Sequence, residues 1–79
     1  MSKTVRPLYE IANDIKRNWV KVNYAAVPYL RAMESLDSVD DKFMFDSGRG
    51  IVSYFLSNAS SWRGEVAKTI KKELNALIK

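Results

Sequence analysis

Apolar residues recur at spacings of three and four along most of the chain, in four stretches. From Pro7, the residues Leu8, Ile11, Ala12, Ile15, Trp19 and Val22 fall within about 100° of a 3.6-residue wheel, which predicts a helix over about 7–22. Glu10, Asp14, Arg17 and Lys21 take the opposite face. Pro7 suits the first turn, where its missing N–H has no intrahelical partner to lose. A second helix, over about 27–36, holds Tyr29, Leu30, Met33 and Leu36. Pro28 cannot donate to a carbonyl four residues back, so this helix starts near Val27 and leaves "VNYAA" as a turn. It fades at Asp37, where "DSVDD" supplies turn and capping residues.

The third helix, over about 48–58, follows "DSGRG". Its apolar residues Ile51, Val52, Tyr54, Phe55, Leu56 and the following Ala59 cover more than half the wheel. Only Arg49, Ser53 and Ser57 form a thin polar edge, the mark of a central helix. The last helix, over about 61–78 with Ser60 or Ser61 as cap, places Trp62, Val66, Ile70, Leu74 and Leu77 on one face, flanked by Ala67 and Ile78. Lys68, Lys71, Lys72 and Lys79 lie opposite. Glu73 falls just inside the apolar arc, where it either pairs with Arg49 or Arg6 or flanks the core.

The acidic loop 37–47 reads least clearly. Phe43 and Phe45, two apart, suit a short extended piece or two rings that anchor the loop on the core. No period-two pattern extends over five residues, and no internal repeat is visible. The expectation is an all-α fold, a compact bundle of three to four short helices in a single domain. At 79 residues a second core could not be closed, while 47% hydrophobic residues supply enough buriable surface for one.

Charge and chemistry narrow the function. The chain contains no cysteine and no histidine, which removes disulfides, thiolate zinc sites, cysteine nucleophiles and imidazole bases. Asp40 and Asp41 are adjacent, so regular structure would point them apart, and Asp37, Asp40, Asp41 and Asp46 lack the spacing of a calcium loop. No metal, cofactor or catalytic residue is expected, and the chain reads as a non-enzyme. "DSGRG" shares with phosphate-binding loops only a helix start, and Asp46 or Ser47 as cap accounts for it, with glycine allowing close approach.

Two binding readings are left. The formal charge of +4 divides into +4 over residues 1–31, −4 over 32–46 and +4 over 47–79. The lysine face of the last helix, with Arg63 near its start, is suited to a nucleic-acid phosphate backbone through Arg49, Arg63, Lys68, Lys71 and Lys72. Few groups that read bases accompany them, so sequence readout is not expected. Nine aromatics are many for so small a core, and Tyr9, Tyr24, Tyr29 and Trp62 are candidate anchors of a protein interface. A wide apolar third helix also suits a homodimer. No signal-peptide pattern and no apolar stretch approaching the roughly 18 residues of a membrane span is visible, so a cytoplasmic protein with no membrane partner is expected.

With "PLYEIANDI", "AAVPYLRAM" and "DSGRGIVSYFLSNASSWRGEVAKTIKKEL" in view, the chain resembles small proteins carried by prophages and conjugative elements of Gram-positive gut bacteria. The resemblance covers most of the chain and brings no functional residues with it. It implies a small accessory factor that binds a host or phage protein or handles nucleic acid, inhibitors of host defence being one kind. The leading expectation is action through protein contacts, and the alternative is phosphate-backbone binding.

Overall fold

A computed structural model of the chain describes residues 6–43 and 46–78, in the order α1 (Leu8–Asn18), α2 (Val27–Met33), β1 (Lys42–Phe43), β2 (Asp46–Ser47), α3 (Gly48–Ser57) and α4 (Glu65–Ile78). Both α1 and α3 pack on α2 and on α4, so the helices follow one another around a single core. The predicted faces supply that core: Leu8, Ile11, Ala12 and Ile15 from α1, Leu30 and Met33 from α2, Ile51, Val52 and Phe55 from α3, Ala67, Ile70 and Leu74 from α4. No helix among the described residues is long and apolar enough to cross a membrane.

The fold is mostly helical but not strictly all-α. β1 and β2 pair antiparallel, with Lys42 opposite Ser47 and Phe43 opposite Asp46. Phe43 packs against the core as half-buried ring, while Phe45 lies outside the described residues. The small sheet forms because the acidic segment must fold back to reach the start of α3: Gly48 N–H donates to Asp41 O at 2.7 Å and Arg49 N–H to Val39 O at 2.9 Å. Those amides have no partner within their own helix.

Helix ends differ from the periodicity for a common reason. α1 stops at Asn18 rather than Val22, and its start has no side-chain cap. At the end, Asn18 Nδ2 bonds Asp14 O at 2.8 Å, and Trp19 leaves helical geometry to stack on Trp62, with ring centroids 5.3 Å apart and planes at 7°. The β-branched Val20 and Val22 give little resistance to ending the helix there. α2 stops at Met33 rather than 36 because the chain tightens, Ser35 N–H to Ala32 O and Leu36 N–H to Met33 O both at 3.1 Å. The carbonyls of Leu36 and Asp37 are thereby turned to accept from Tyr9 N–H and Leu8 N–H, each at 2.9 Å, which satisfies the start of α1.

α4 starts at Glu65, not at 61, and neither Ser60 nor Ser61 caps it. Gly64 precedes it at φ 115°, a left-handed conformation that glycine adopts without strain. That turn lets Trp62 enter the core ahead of the helix, where it is 5% exposed. Val66, predicted on the core face, is instead 46% exposed. With four fewer helical residues before it, α4 centres its buried stripe on Ala67, Ile70 and Leu74.

Candidate interaction surfaces

At the start of α3 the residues of "DSGRG" serve the helix itself. Ser47 is the cap, its Oγ accepting from Gly50 N–H at 3.1 Å. Since Gly48 and Arg49 amides already meet Asp41 and Val39, the first three N–H groups of the helix are all engaged within the chain. No cradle for an anion is left there. Arg49 is engaged too, bonding Asp40 at 3.1 Å and the carbonyl of Leu77 at 3.4 Å, so it is set apart from the other candidate cations.

Glu73 finds Arg6, not Arg49. Arg6 Nε donates to Glu73 Oε2 at 3.0 Å and Nη2 to Oε1 at 2.8 Å, a two-pronged pair that ties the chain ahead of α1 to the middle of α4. Its Nη1 also bonds Asp14, which Arg17 approaches from the other side at 3.0 Å. The hydrogen bond from Arg6 holds the Asp14 carboxyl below its ordinary value of 3.8, partial desolvation working against it and the charges of Arg6 and Arg17 adding to it. The bonds to Glu73 and Asp14 raise the Arg6 guanidinium, which stays charged throughout. A carboxyl lowered on folding stabilises the fold above its unfolded pKa, and that contribution disappears as the pH falls through the folded value. Thermal melts between about pH 5 and pH 2 should therefore lose more stability in the parent than in an Asp14→Asn protein. Equal losses would remove Asp14 from the account.

The cations of α4 behave differently from those of α1. Lys16 pairs with Glu34 at 3.2 Å and Arg17 with Asp14, but Arg63, Lys68, Lys71 and Lys72 meet no carboxylate among the described residues. Arg63, Lys68 and Lys72 are exposed. Lys71 is half-buried, its Nζ donating to Trp62 O at 2.6 Å. Arg63, Lys68 and Lys71 line one open depression together with Trp62, Gly64 and Glu65.

The candidate aromatic anchors divide. Trp62 is withdrawn from the set, since stacking on Trp19 buries it. Tyr24 is 87% exposed in the α1–α2 connection. Tyr29 is half-buried on α2, its ring 5.4 Å from that of Tyr54 on α3. Tyr9, 45% exposed, stands apart on the first turn of α1. Tyr54 reads as a core residue in the apolar run, yet it is half exposed. On the wheel Tyr54 lies between Gly50 and Asn58, with Ser57 next on one side and Ile51 on the other, which puts it at the edge of the apolar arc rather than inside it.

Tyr24, Tyr29 and Tyr54 belong to two stretches without a charged residue, 22–30 ("VNYAAVPYL") and 50–62 ("GIVSYFLSNASSW"). The fold sets these together, through the Tyr29–Tyr54 contact and through Asn23 Nδ2, which donates to Asn58 O at 3.2 Å one turn beyond Tyr54. The resulting face exposes Tyr24, Pro28, Ser53, Tyr54 and Ser57. The apolar width of α3 that suggested a dimeric core is filled within one chain, because Ile51, Val52 and Phe55 are buried by its own neighbours.

The acidic segment is occupied with its own turn. Asp41 Oδ2 accepts from the amides of Asp37 and Ser38 at 3.0 and 3.2 Å, and Asp40 faces Arg49. Among the described residues no three acidic side chains gather as a metal site. Comparison of the chain with protein-family models, with curated proteins and with solved structures gives no match.

Proposed function

We propose that this protein is a non-enzymatic binding module that acts through protein contacts, using the uncharged tyrosine face of α2, α3 and the α1–α2 connection. The observation that carries the reading is the exposure of Tyr24 and Tyr54 on two stretches without a charged residue that the fold sets together, in a chain of which 28% of residues are charged. Such a face loses little hydration when covered. Tyrosine supplies a large contact at low conformational cost, and serine and asparagine beside it adapt their hydrogen bonds to a partner. The partner class is a folded protein with a surface equally poor in charge. The resemblance to proteins of prophages and conjugative elements makes a host or phage protein the candidate, and a second copy of the chain is the other occupant to test.

Tagged parent protein and a Tyr24→Ala, Tyr54→Ala variant should be compared in capture from a Gram-positive gut host. At least one protein is expected to be retained by the parent and lost by the variant. Both side chains are largely solvated, so the variant should keep its fold within about 1 kcal/mol, which chemical denaturation checks. A folded variant that retains the same proteins as the parent ends the proposal. Sedimentation of the parent alone shows whether the face is instead closed by a second copy.

A further inference from the structure

Residues 47–72, which span α3, the α3–α4 connection and the first half of α4, contain five basic residues and one acidic. The remainder of the chain has eight of each, its basic first third balanced by the acidic stretch 32–46, so the segment keeps a +4 excess that no acidic stretch of its own offsets. Elsewhere Arg6 pairs with Glu73 and Asp14, Lys16 with Glu34 and Arg17 with Asp14, while Lys21, Arg31 and Lys42 meet no carboxylate among the described residues but stand on separate segments rather than in a row. Within the segment, Asp40 neutralises Arg49, and Arg63, Lys68, Lys71 and Lys72 are left over.

We propose that these four side chains form a second binding site, separate from the tyrosine face, that holds the phosphodiester backbone of a nucleic-acid duplex without reading its sequence. Lys71 and Lys72 lie three and four residues after Lys68 on a regular helix, so the stem of each emerges about 5–6 Å from that of Lys68, one on either side of it. Arg63 extends the row past the helix start, beside Lys68 and Lys71 in the shared depression. Glu65 is the one acid in that depression.

The surroundings of the row choose between classes of anionic partner. A protein interface needs buried aromatic or aliphatic anchors, and Trp62, the large apolar residue nearest the row, is already used in the core. Single-stranded nucleic acid needs exposed rings on which bases stack, and the same burial removes that platform. Flexible ammonium groups without neighbouring base-reading side chains fit backbone contacts, which position a duplex and carry no sequence information. Because the site lies on α4 and its preceding turn, whereas the tyrosines lie on α2, α3 and the α1–α2 connection, its test does not depend on the tyrosine proposal.

The experiment is fluorescence anisotropy with labelled DNA duplexes of two unrelated sequences, starting at about 50 mM salt, where the electrostatic contribution is strong. Equal affinity for both sequences is expected, with log K falling against log salt at a slope of about −2.7 to −3.6 for three to four phosphate contacts. Lys68→Glu with Lys72→Glu should weaken binding at least tenfold. Lys21→Glu with Lys42→Glu changes the net charge by the same amount at exposed positions outside the row, and should leave affinity within about threefold if the row itself is the site. Circular dichroism confirms that both pairs remain folded. Four results overturn the proposal: no binding at the lowest salt, equal loss in the two pairs, tighter binding of single strands, or competition by polyglutamate as effective as by unlabelled duplex. The last would assign the row to an acidic protein.

Discussion

A Phe55→Ala protein is expected to lose about 3–5 kcal/mol of stability, the range for truncating a fully buried Phe. Phe55 has no exposed surface and lies on the helix that packs on both α2 and α4. Its ring meets the edge of Trp19 at 6.2 Å and 76°, and Trp19 in turn stacks on Trp62. Collapse into the space left would require moving this aromatic stack, whose residues end α1 and precede α4. Little relaxation should therefore offset the cavity. A domain of this size has about 4–12 kcal/mol in total, so the variant should be near the limit of folding. Urea unfolding followed by tryptophan fluorescence measures the loss through the affected stack itself. A midpoint equal to the parent's would mean that Phe55 does not fill the shared core.

The second large effect concerns two glycines two residues apart, with opposite signs. A Cβ at Gly48 would stand 2.7 Å from Ser38 O and 2.9 Å from Val39 Cα. Both are backbone atoms of the segment whose carbonyls satisfy the start of α3, so neither moves without breaking the bonds from Gly48 and Arg49. Gly48→Ala should cost about 2–3 kcal/mol, the upper part of the range for overpacking. A Cβ at Gly50 meets only Ser47 Oγ, at 3.4 Å, and the capping bond uses backbone N–H that alanine retains. Gly50→Ala should stabilise the protein by up to about 1 kcal/mol through the lower entropy of the unfolded chain. Thermal and chemical melts of the two variants check the contrast, and a destabilised Gly50→Ala or a neutral Gly48→Ala would contradict the close approach described here.

The two glycines also illustrate how much of the site was legible. "DSGRG" reads as a capped helix start with glycine for close approach, and Ser47 and Gly48 take those roles. Which letter does which depends on the strand pair and the turn at 37–41, and no local spacing encodes that. Glu73 is similar: the wheel marks it as misplaced for an apolar face, and Arg6 was one of two named partners. In the fold Arg6 takes Glu73 and Arg49 takes Asp40. Trp62 reads both as part of the apolar face of the last helix and as a candidate anchor, and it is core, whereas Tyr54 reads as part of the apolar width of α3 and is half exposed. An aromatic residue at the edge of an apolar arc goes in or out according to the element beside it, here Trp19 for the one and the α2 flank for the other.

The four helical periodicities and most of the residues that fill the core are written in the order of apolar side chains, because burial of a stripe follows from the 3.6-residue turn. Composition also determined the chemistry that is missing, since a chain without histidine or cysteine cannot use either. The tertiary structure decided where the helices end, which carbonyls receive their first amides, and which cations retain no carboxylate. Those outcomes depend on distances between segments far apart in the chain, such as the 67 residues separating Arg6 from Glu73, and a pattern repeated along one axis contains no information about the neighbour that closes it.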